Sequence, residues 1–397
     1  MIVSERIIHL ELIIKKLSRL DSVVIYSDTF IPSIGGGEIY VRDLAFGLWK
    51  KGIHTTVLTP YPNRGNDDFP FEVVRLGFSL RFGNFNLNFL NVLKAISKIK
   101  PSLFVINGPT PVEAPLLSAL YILHIPTIIT YHGQYNSKIT KLAFHFYSKL
   151  YNLASLVLTQ TNRDYEHLLK LGVKPRNLSH FRFTGVDRKK FNCNKKRETD
   201  SSIQLVDSTP LKCLYVGGIS KTRPYKGFDL LIDAFNELDK IGYGEKIVLN
   251  MAGKGDLLNE MKLRVRNRKQ INFLGFLAED DLLSLICDAD LLILPSKTAG
   301  EGFGKVVLEA ISCGLPVMAS EYAGSSEILK EYNAGFLYNP NNKSEIIELL
   351  TKIQKEKTLL TNIRKNAYRM IEQENLDSEM VLDLTISLYE KAINRQI

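Results

Sequence analysis

The sequence of 397 residues lacks the features of a membrane-spanning or secreted chain. It contains no run of about 18 apolar residues, the length that a helix needs to cross a bilayer. Near the N-terminus the apolar residues are interrupted by Glu5, Arg6, Glu11, Lys15 and Lys16, so no secretory pattern forms. We therefore expect a cytoplasmic protein. Residues 1–20 have helical spacing, and they either contact the inner face of the membrane as a peripheral helix or pack on the first domain.

Cysteine is scarce, and its spacing excludes the common cysteine-based sites. Cys193, Cys213, Cys287 and Cys313 are far apart, with no CxxC pair and no metal-ligand spacing. This distribution predicts four buried thiols in a reducing compartment. Since no other ligand cluster is evident, we expect neither a bound metal nor any other cofactor.

Long blocks of one charge are also missing. The 51 lysines and arginines exceed the 42 aspartates and glutamates, giving a net charge of +9, but the basic residues are scattered. Without a basic block or a recognisable module, nucleic acid is not the expected partner. The positive charge instead favours a nucleotide or a phospholipid surface.

Strand and helix patterns alternate along most of the chain. An apolar run at 22–26 is followed by Gly35-Gly36-Gly37, a helix and a second strand at 55–59, which together predict a βαβ unit. After a polar stretch the same alternation restarts near residue 211. The sequence thus predicts two Rossmann-like, doubly wound parallel-sheet domains facing across a cleft. The expected segments are a helical extension at 1–20, domains at 21–187 and 211–375, a linker at 188–210, and a terminal helix at 376–397 that crosses back to the first domain.

A glycine-rich turn between Ala299 and Ala310 is the most informative stretch. It follows an apolar strand at 290–296 and opens a helix, a junction where free backbone N–H groups and the helix dipole favour a phosphate. Glu301 and Glu309 are good acceptors for ribose or sugar hydroxyls. The alternative is structural: Glu309 pairs with Lys305 at i,i+4, and Glu301 only favours a helix N-terminus.

Several short motifs occur in the order of a known family. With them the chain resembles, from about residue 22 to its end, the retaining glycosyltransferases of family 4, which have the two-domain GT-B fold. The motifs are Ile34-Gly35-Gly36-Gly37-Glu38, Thr130-Tyr131-His132-Gly133, Thr184-Gly185-Val186-Asp187, Lys226-Gly227, Asn272-Phe273-Leu274-Gly275, and Glu301-Gly302-Phe303-Gly304 through Glu309.

The resemblance implies a nucleotide-diphosphate-sugar donor held mainly by the second domain. Lys226 would neutralise the departing pyrophosphate, Glu301 would lie near the donor sugar, and Glu309 would bind the ribose. Backbone groups of the second domain would complete the donor site, at Gly275, Gly302, Phe303 and Gly304.

In the first domain the resemblance points to a histidine and a glycine loop. His132, at a strand end, would reach the donor sugar, although a lone histidine is more often structural. Gly36 and Gly37 would close over the transferred sugar. Since Gly35-Gly36-Gly37 lacks the GxGxxG spacing, we expect no bound dinucleotide, and a simple tight turn is the alternative role.

One position departs from the family pattern. The family carries an arginine directly after the Val-Gly of its first strand in the second domain, whereas Gly218 follows Val216-Gly217 here. The loop that follows is longer, and either Arg223 or Lys221 could supply the missing charge.

These residues predict transfer of a sugar to a hydroxyl acceptor with retention at the anomeric carbon and without a metal requirement. A glycan or lipid-linked acceptor is expected from the basic charge and from the aromatic, basic segment at 78–85, which could equally complete the domain core. The competing hypotheses are a nucleotide-sugar epimerase of the same shape, and an inactive nucleotide-sugar-binding or membrane scaffold protein.

Overall fold

The computed structural model describes residues 20–62, 68–77, 81–82, 85–86, 89–108, 113–133, 148–193, 209–267, 269–300 and 302–394. It divides the chain into two compact units, Met1–Phe183 with Glu379–Ile397, and Thr184–Ser378. Residues 1–19 of the predicted N-terminal helix, and most of the aromatic segment at 78–85, lie outside the described residues.

The first unit is built on a seven-stranded parallel sheet of order β3-β2-β1-β6-β7-β8-β9. Its continuous apolar runs form strands that are covered on both faces, so that Val23 through Ser27 are all buried. The strands are β1 (Ser22–Ser27), β2 (His54–Thr59), β3 (Glu72–Arg75), β6 (Leu103–Gly108), β7 (Thr127–Tyr131), β8 (Leu156–Thr159) and β9 (Leu178–His180), while β4 (Arg81–Phe82) and β5 (Phe85–Asn86) form a separate antiparallel pair. The helices are α1 (Gly36–Lys50), α2 (Phe89–Ile99), α3 (Glu113–Ile122) and α4 (Asn162–Lys170).

The second unit contains a six-stranded parallel sheet of order β12-β11-β10-β13-β14-β15. Its strands are β10 (Leu211–Val216), β11 (Ile247–Ala252), β12 (Ile271–Gly275), β13 (Leu291–Leu294), β14 (Val317–Ser320) and β15 (Phe336–Tyr338). Its helices are α5 (Phe228–Lys240), α6 (Leu258–Arg264), α7 (Glu279–Asp288), α8 (Lys305–Ser312), α9 (Ser326–Glu331), α10 (Lys343–Lys355) and α11 (Thr358–Gln373). The two sheets confirm the predicted pair of Rossmann-like domains.

The last helix, α12 (Ser378–Asn394), completes the core of the first unit. Its Tyr389 and Ile393 are buried in the same apolar cluster as Val41 and Leu44 of α1. Leu382 lies directly over Gly47, where a Cβ atom would approach the leucine Cδ2 to 2.8 Å. The absence of a side chain at Gly47 therefore lets the two helices pack closely.

The prediction of four free buried thiols is wrong for two of the cysteines. Cys193 and Cys287 form a disulfide, whereas Cys213 and Cys313 are buried and not disulfide-bonded. Cys193 lies in a segment assigned to the linker by its polar sequence, but Phe191 and Cys193 belong to the core of the second unit. Spacing could not reveal this, because the bonded cysteines are 94 residues apart and only the fold brings them together.

Within the described part of the chain, no helix combines the length and the apolar character that spanning a bilayer requires.

Candidate active site

The strand order of each sheet reverses at one point, and several of the candidate residues follow the strands that flank it, whereas Gly275 ends the edge strand β12. In the first unit the reversal lies between β1 and β6, and in the second between β10 and β13. In open parallel sheets, ligands bind beside the carboxyl ends of the two strands at this point. Each unit therefore offers a candidate ligand site at this edge of its sheet.

Two cationic side chains lie over the loop that follows β10. A Cβ atom at Gly217 would lie 3.3 Å from Lys226 Cδ, and one at Gly218 would lie 3.4 Å from both Cδ and Nη1 of Arg223. The side chains of Arg223 and Lys226 therefore cover adjacent glycines. This loop brings the Arg223 guanidinium next to Gly218, whereas Lys221 is exposed and its backbone N–H donates to Asp256 Oδ1 at 3.0 Å.

Backbone contacts fix the turn that carries these cations. A 3₁₀ turn at Pro224–Lys226 leads into α5, and Gly227 caps that helix with φ at 66°. A Cβ atom at Gly227 would collide with the Pro295 carbonyl oxygen, so the position requires glycine for both its conformation and its packing. The Lys297 N–H donates to the Tyr225 carbonyl at 2.7 Å, which ties the turn to the chain after β13.

The glycine-rich stretch opens α8 in the second unit. Gly304 caps this helix with φ at 82°, and its carbonyl accepts from the Val307 N–H at 2.9 Å. The N–H groups before Val307 have no i−4 acceptor within the helix, as at any helix start. The Phe303 side chain is buried in the core, which leaves only its backbone for a ligand, and Gly302 is partly buried. Glu301 lies outside the described residues.

Glu309 is carried on the same helix and is 9% exposed. Its Oε1 lies 4.0 Å from Lys305 Nζ, so the i,i+4 pair expected for a structural role is present at a long distance. A carboxylate held in this way can still accept a hydrogen bond from a ligand hydroxyl.

Gly275 ends β12 with φ at 72°, and its carbonyl accepts a 2.7 Å hydrogen bond from the Gly253 N–H. A Cβ atom there would meet nothing within 4 Å, so the space beside Gly275 is open.

In the first unit, the His132 side chain, just after β7, is hydrogen-bonded to a residue near the end of the neighbouring strand β6. His132 Nε2 lies 2.7 Å from Asn107 Oδ1, and Asn107 Nδ2 donates to Ser27 Oγ at 3.1 Å. Because Asn107 Oδ1 can only accept, Nε2 carries the hydrogen in this arrangement and Nδ1 is the acceptor. Tyr40 and Phe183 flank the imidazole edge-on, each with its ring centroid 5.1 Å away.

Burial lowers the pKa of His132 from its usual 6.5 to about 4. The imidazole is therefore neutral at physiological pH. A neutral ring with a fixed tautomer suits hydrogen bonding to a sugar hydroxyl better than it suits charge pairing with a phosphate.

The glycine loop lies beside this histidine cluster. Gly36 and Gly37 begin α1, and a Cβ atom at Gly37 would lie 4.0 Å from Asn107 Nδ2. A Cβ at Gly36 would meet nothing within 4 Å. The first unit thus brings Gly37 and His132 together through Asn107, a residue that the sequence motifs did not single out. A polar residue directly after the apolar run of β6 was the available signal.

Comparison with known families adds to this geometry. A model described as Glycosyltransferase Family 4 matches residues 34–188, and one described as Glycosyl transferases group 1 matches residues 196–370. The chain belongs to the family 4 glycosyltransferases. The first match contains His132, Asn107 and the glycine loop at 35–37. The second contains Arg223, Lys226 and the start of α8.

Relatives of this family 4 glycosyltransferase include the sulfoquinovosyl transferase SQD2 of Arabidopsis thaliana, 24% identical over 270 residues. That alignment covers 65% of this chain and 51% of the plant protein, so the chain spans about half the length of this curated relative.

Solved GT-B glycosyltransferases share the fold along nearly the whole chain. Anabaena HepE in complex with UDP-glucose has a TM-score of 0.73 at 19% identity, covering 92% of this chain and 99% of that one. The sucrose-phosphate synthase of Thermosynechococcus elongatus has a TM-score of 0.76 at 18% identity, covering 94% and 99%. At such identities the likeness establishes the fold alone, which is GT-B.

Proposed function

We propose that this glycosyltransferase moves a sugar from a nucleotide-diphosphate-sugar donor to a hydroxyl acceptor on a glycan or lipid-linked molecule, with retention at the anomeric carbon. The proposal rests first on the paired cations over Gly217 and Gly218. Arg223 and Lys226 present two positive charges at the point where the strand order of the second sheet reverses, and a diphosphate could be bound there and stabilised as it leaves.

The start of α8 supports the same assignment. Backbone N–H groups of its first turn would bind phosphate or sugar oxygens, and Glu309, further along the helix, would accept from the ribose hydroxyls. Glu301 keeps the role implied by the family resemblance, near the donor sugar. With two cations and a helix N-terminus to neutralise the diphosphate, transfer proceeds without a divalent ion.

His132 and the glycine loop are assigned to the transferred sugar. The neutral imidazole would accept a hydrogen bond from a sugar hydroxyl at Nδ1, because Nε2 donates to Asn107 Oδ1. For the chemical step we propose front-side attack through a transition state of ion-pair character, in which no side chain forms a covalent bond to the sugar. The acceptor hydroxyl then attacks from the face that the diphosphate leaves.

A UDP-sugar is the first donor to test, because the Anabaena structural relative was solved with UDP-glucose. Wild-type protein is melted with UDP, GDP, ADP and their glucose or mannose conjugates. One of them should raise the melting temperature, since a ligand at 100 times its Kd stabilises the folded state by about 2.7 kcal/mol.

The Arg223→Ala variant tests which loop cation does the work. Loss of its charge–diphosphate contact should weaken binding of the selected nucleotide by about tenfold or more, which corresponds to at least about 1.4 kcal/mol. Lys221→Ala, in the same loop but exposed, is the matched control and should change the Kd by less than about twofold. Equal weakening by the two variants, or by neither, would contradict the assignment of Arg223. If no nucleotide or nucleotide sugar binds the wild type, the proposed function fails.

A further inference from the structure

Three sulfur atoms from distant parts of the sequence meet in the second unit. The Sγ atoms of Cys193, Cys287 and Cys313 all lie within 4.8 Å of one another. Cys193 and Cys287 are joined by a disulfide, and Cys313 is a buried cysteine that is not disulfide-bonded. A thiol this close to a disulfide is positioned for exchange, which proceeds by attack of a thiolate on a disulfide sulfur.

The three cysteines belong to three separate structural elements. Cys193 ends the segment at 188–193, Cys287 lies on α7, and Cys313 directly follows α8. The bond as it stands links the segment to α7. A bond between Cys193 and Cys313 would link it to α8, the helix that Gly304 caps.

The surroundings of Cys313 make that second link feasible. Ser312 Oγ donates to the Phe191 carbonyl at 2.7 Å, so the segment at 188–193 already contacts the end of α8. The Cys313 N–H donates to the Glu309 carbonyl at 3.2 Å, which joins the cysteine to the last turn of that helix. The Sγ atoms of Cys313 and Cys193 already lie within 4.8 Å of one another, so the sulfur atoms have only a short distance to close.

Solvent can reach the site from one side. Cys287 is partly exposed, unlike the other two cysteines. A surface cavity of about 320 Å³ is lined by Asn192 and Ser312, the chain neighbours of Cys193 and Cys313, together with Arg188 and Lys189. Tyr368 and Asp377 complete the lining, and a small thiol that enters this cavity comes next to the chain neighbours of Cys193 and Cys313.

We propose that Cys193, Cys287 and Cys313 form a thiol–disulfide exchange site. The Cys313 thiolate attacks Cys193 Sγ, the bond between Cys193 and Cys287 breaks, and a bond between Cys193 and Cys313 forms. Cys287 leaves as a thiolate and takes up the proton that Cys313 lost. One disulfide exists before and after the step, so no oxidant is consumed, and a low-molecular-weight thiol can open either form.

The partly exposed Cys287 is the favoured leaving group, since water stabilises its thiolate better than the core would stabilise Cys193. Exchange should take minutes to hours, the usual range for an uncatalysed disulfide rearrangement.

Native-state alkylation tests the exchange. Full-length folded protein, free of reductant, is incubated with iodoacetamide at pH 8, and modified cysteines are mapped by mass spectrometry over time. Alkylation at Cys287 is expected in the wild type, because exchange releases that thiol. In Cys313→Ser the labelling rate at Cys287 should fall by about tenfold or more, since the attacking sulfur is gone. Cys213→Ser, which removes a buried thiol outside the cluster, should label Cys287 at the wild-type rate.

A second variant covers the possibility that Cys313→Ser folds poorly. Cys287→Ser is oxidised with oxidised glutathione, and its disulfides are mapped after acid quenching. We expect a bond between Cys193 and Cys313 with Cys213 left free. The proposal is overturned if Cys287 stays unlabelled in the wild type, if Cys313→Ser labels equally fast, or if oxidised Cys287→Ser carries no bond between Cys193 and Cys313.

The same variant tests whether the exchange reaches the donor site, a consequence that rests on the proposed function. A link to α8 in oxidised Cys287→Ser should change the nucleotide Kd by about threefold or more relative to the reduced variant, a modest coupling between sites. Unchanged affinity removes this consequence but leaves the exchange site intact. Failure of any nucleotide to bind refutes the proposed function and does not affect the sulfur mapping.

Discussion

Lowering the pH from 7.5 to 5 should destabilise the first unit through His132. The pKa of this histidine is about 6.5 in the unfolded chain, whereas in the folded protein desolvation of the half-buried imidazole lowers the pKa to about 4. Between these values the unfolded state binds more protons, so stability falls as the pH falls. The two pKa values give a loss of about 2 kcal/mol at pH 5 relative to pH 7.5.

The assay can be confined to the unit that contains the histidine. Trp49, the single tryptophan of the sequence, lies on α1 of the first unit, so its fluorescence reports urea unfolding there. Each protein is unfolded at both pH values to give its loss of stability on acidification. Comparing this loss between wild type and a variant cancels the contribution of the carboxylates that both proteins share. Wild type should lose about 2 kcal/mol more between pH 7.5 and 5 than His132→Gln, whose amide does not titrate.

An exposed histidine in the same unit supplies the control. His54 begins β2 and is exposed, so His54→Gln should keep the full pH dependence of the wild type. If wild type and His132→Gln lose the same free energy on acidification, the argument from burial is refuted. The same holds if His54→Gln reduces the loss as much as His132→Gln does.

Two further predictions concern packing. Gly227→Ala should destabilise the second unit by at least about 3 kcal/mol in thermal melts, because positive φ and the Pro295 carbonyl both oppose a side chain. The control Gly242→Ala, with φ at 83° but open space around it, should cost only about 1 kcal/mol. Similar costs for the two variants would contradict the packing argument. Leu382→Ala on α12 should destabilise the first unit by about 2 kcal/mol in the Trp49 assay, whereas the exposed Leu384→Ala should stay within about 0.5 kcal/mol; an equal effect would show that contact with Gly47 contributes little.

The sheets were predictable because their strands are buried on both faces. A strand such as β1 must then be apolar along its length, and the sequence carries that run at 22–26. The sharp turns at the candidate-site glycines were also predictable, since glycine adopts the backbone conformations that such turns at strand ends require. Gly227 and Gly304 do take positive φ.

Contacts that depend on the register of neighbouring strands were not predictable. Asn107 meets His132 because β6 pairs with β7, with Asn107 opposite Thr130 and Gly108 opposite Tyr131. Neither residue signals the other along the chain, because 25 positions separate them.

Loop geometry separates the two candidates that the sequence offered at Gly218. Lys221 and Arg223 were equivalent candidates for the missing cation, since both follow within a few residues. The turn at Pro224–Lys226 directs Arg223 back over Gly218 and leaves Lys221 exposed. The cysteine cluster was hidden for a related reason: its members come from three elements that only the folded second unit brings together.

Release of nucleoside diphosphate tests the central claim most directly. Full-length protein is incubated with the nucleotide sugar that binds best, and the diphosphate is quantified with and without a hydroxyl acceptor. We predict release by the wild type, a rate lower by about 100-fold or more in Lys226→Ala, where the leaving diphosphate loses its cation, and a rate close to wild type in Lys221→Ala. Absence of release from every donor, or undiminished release by Lys226→Ala, would contradict the proposed glycosyltransferase site.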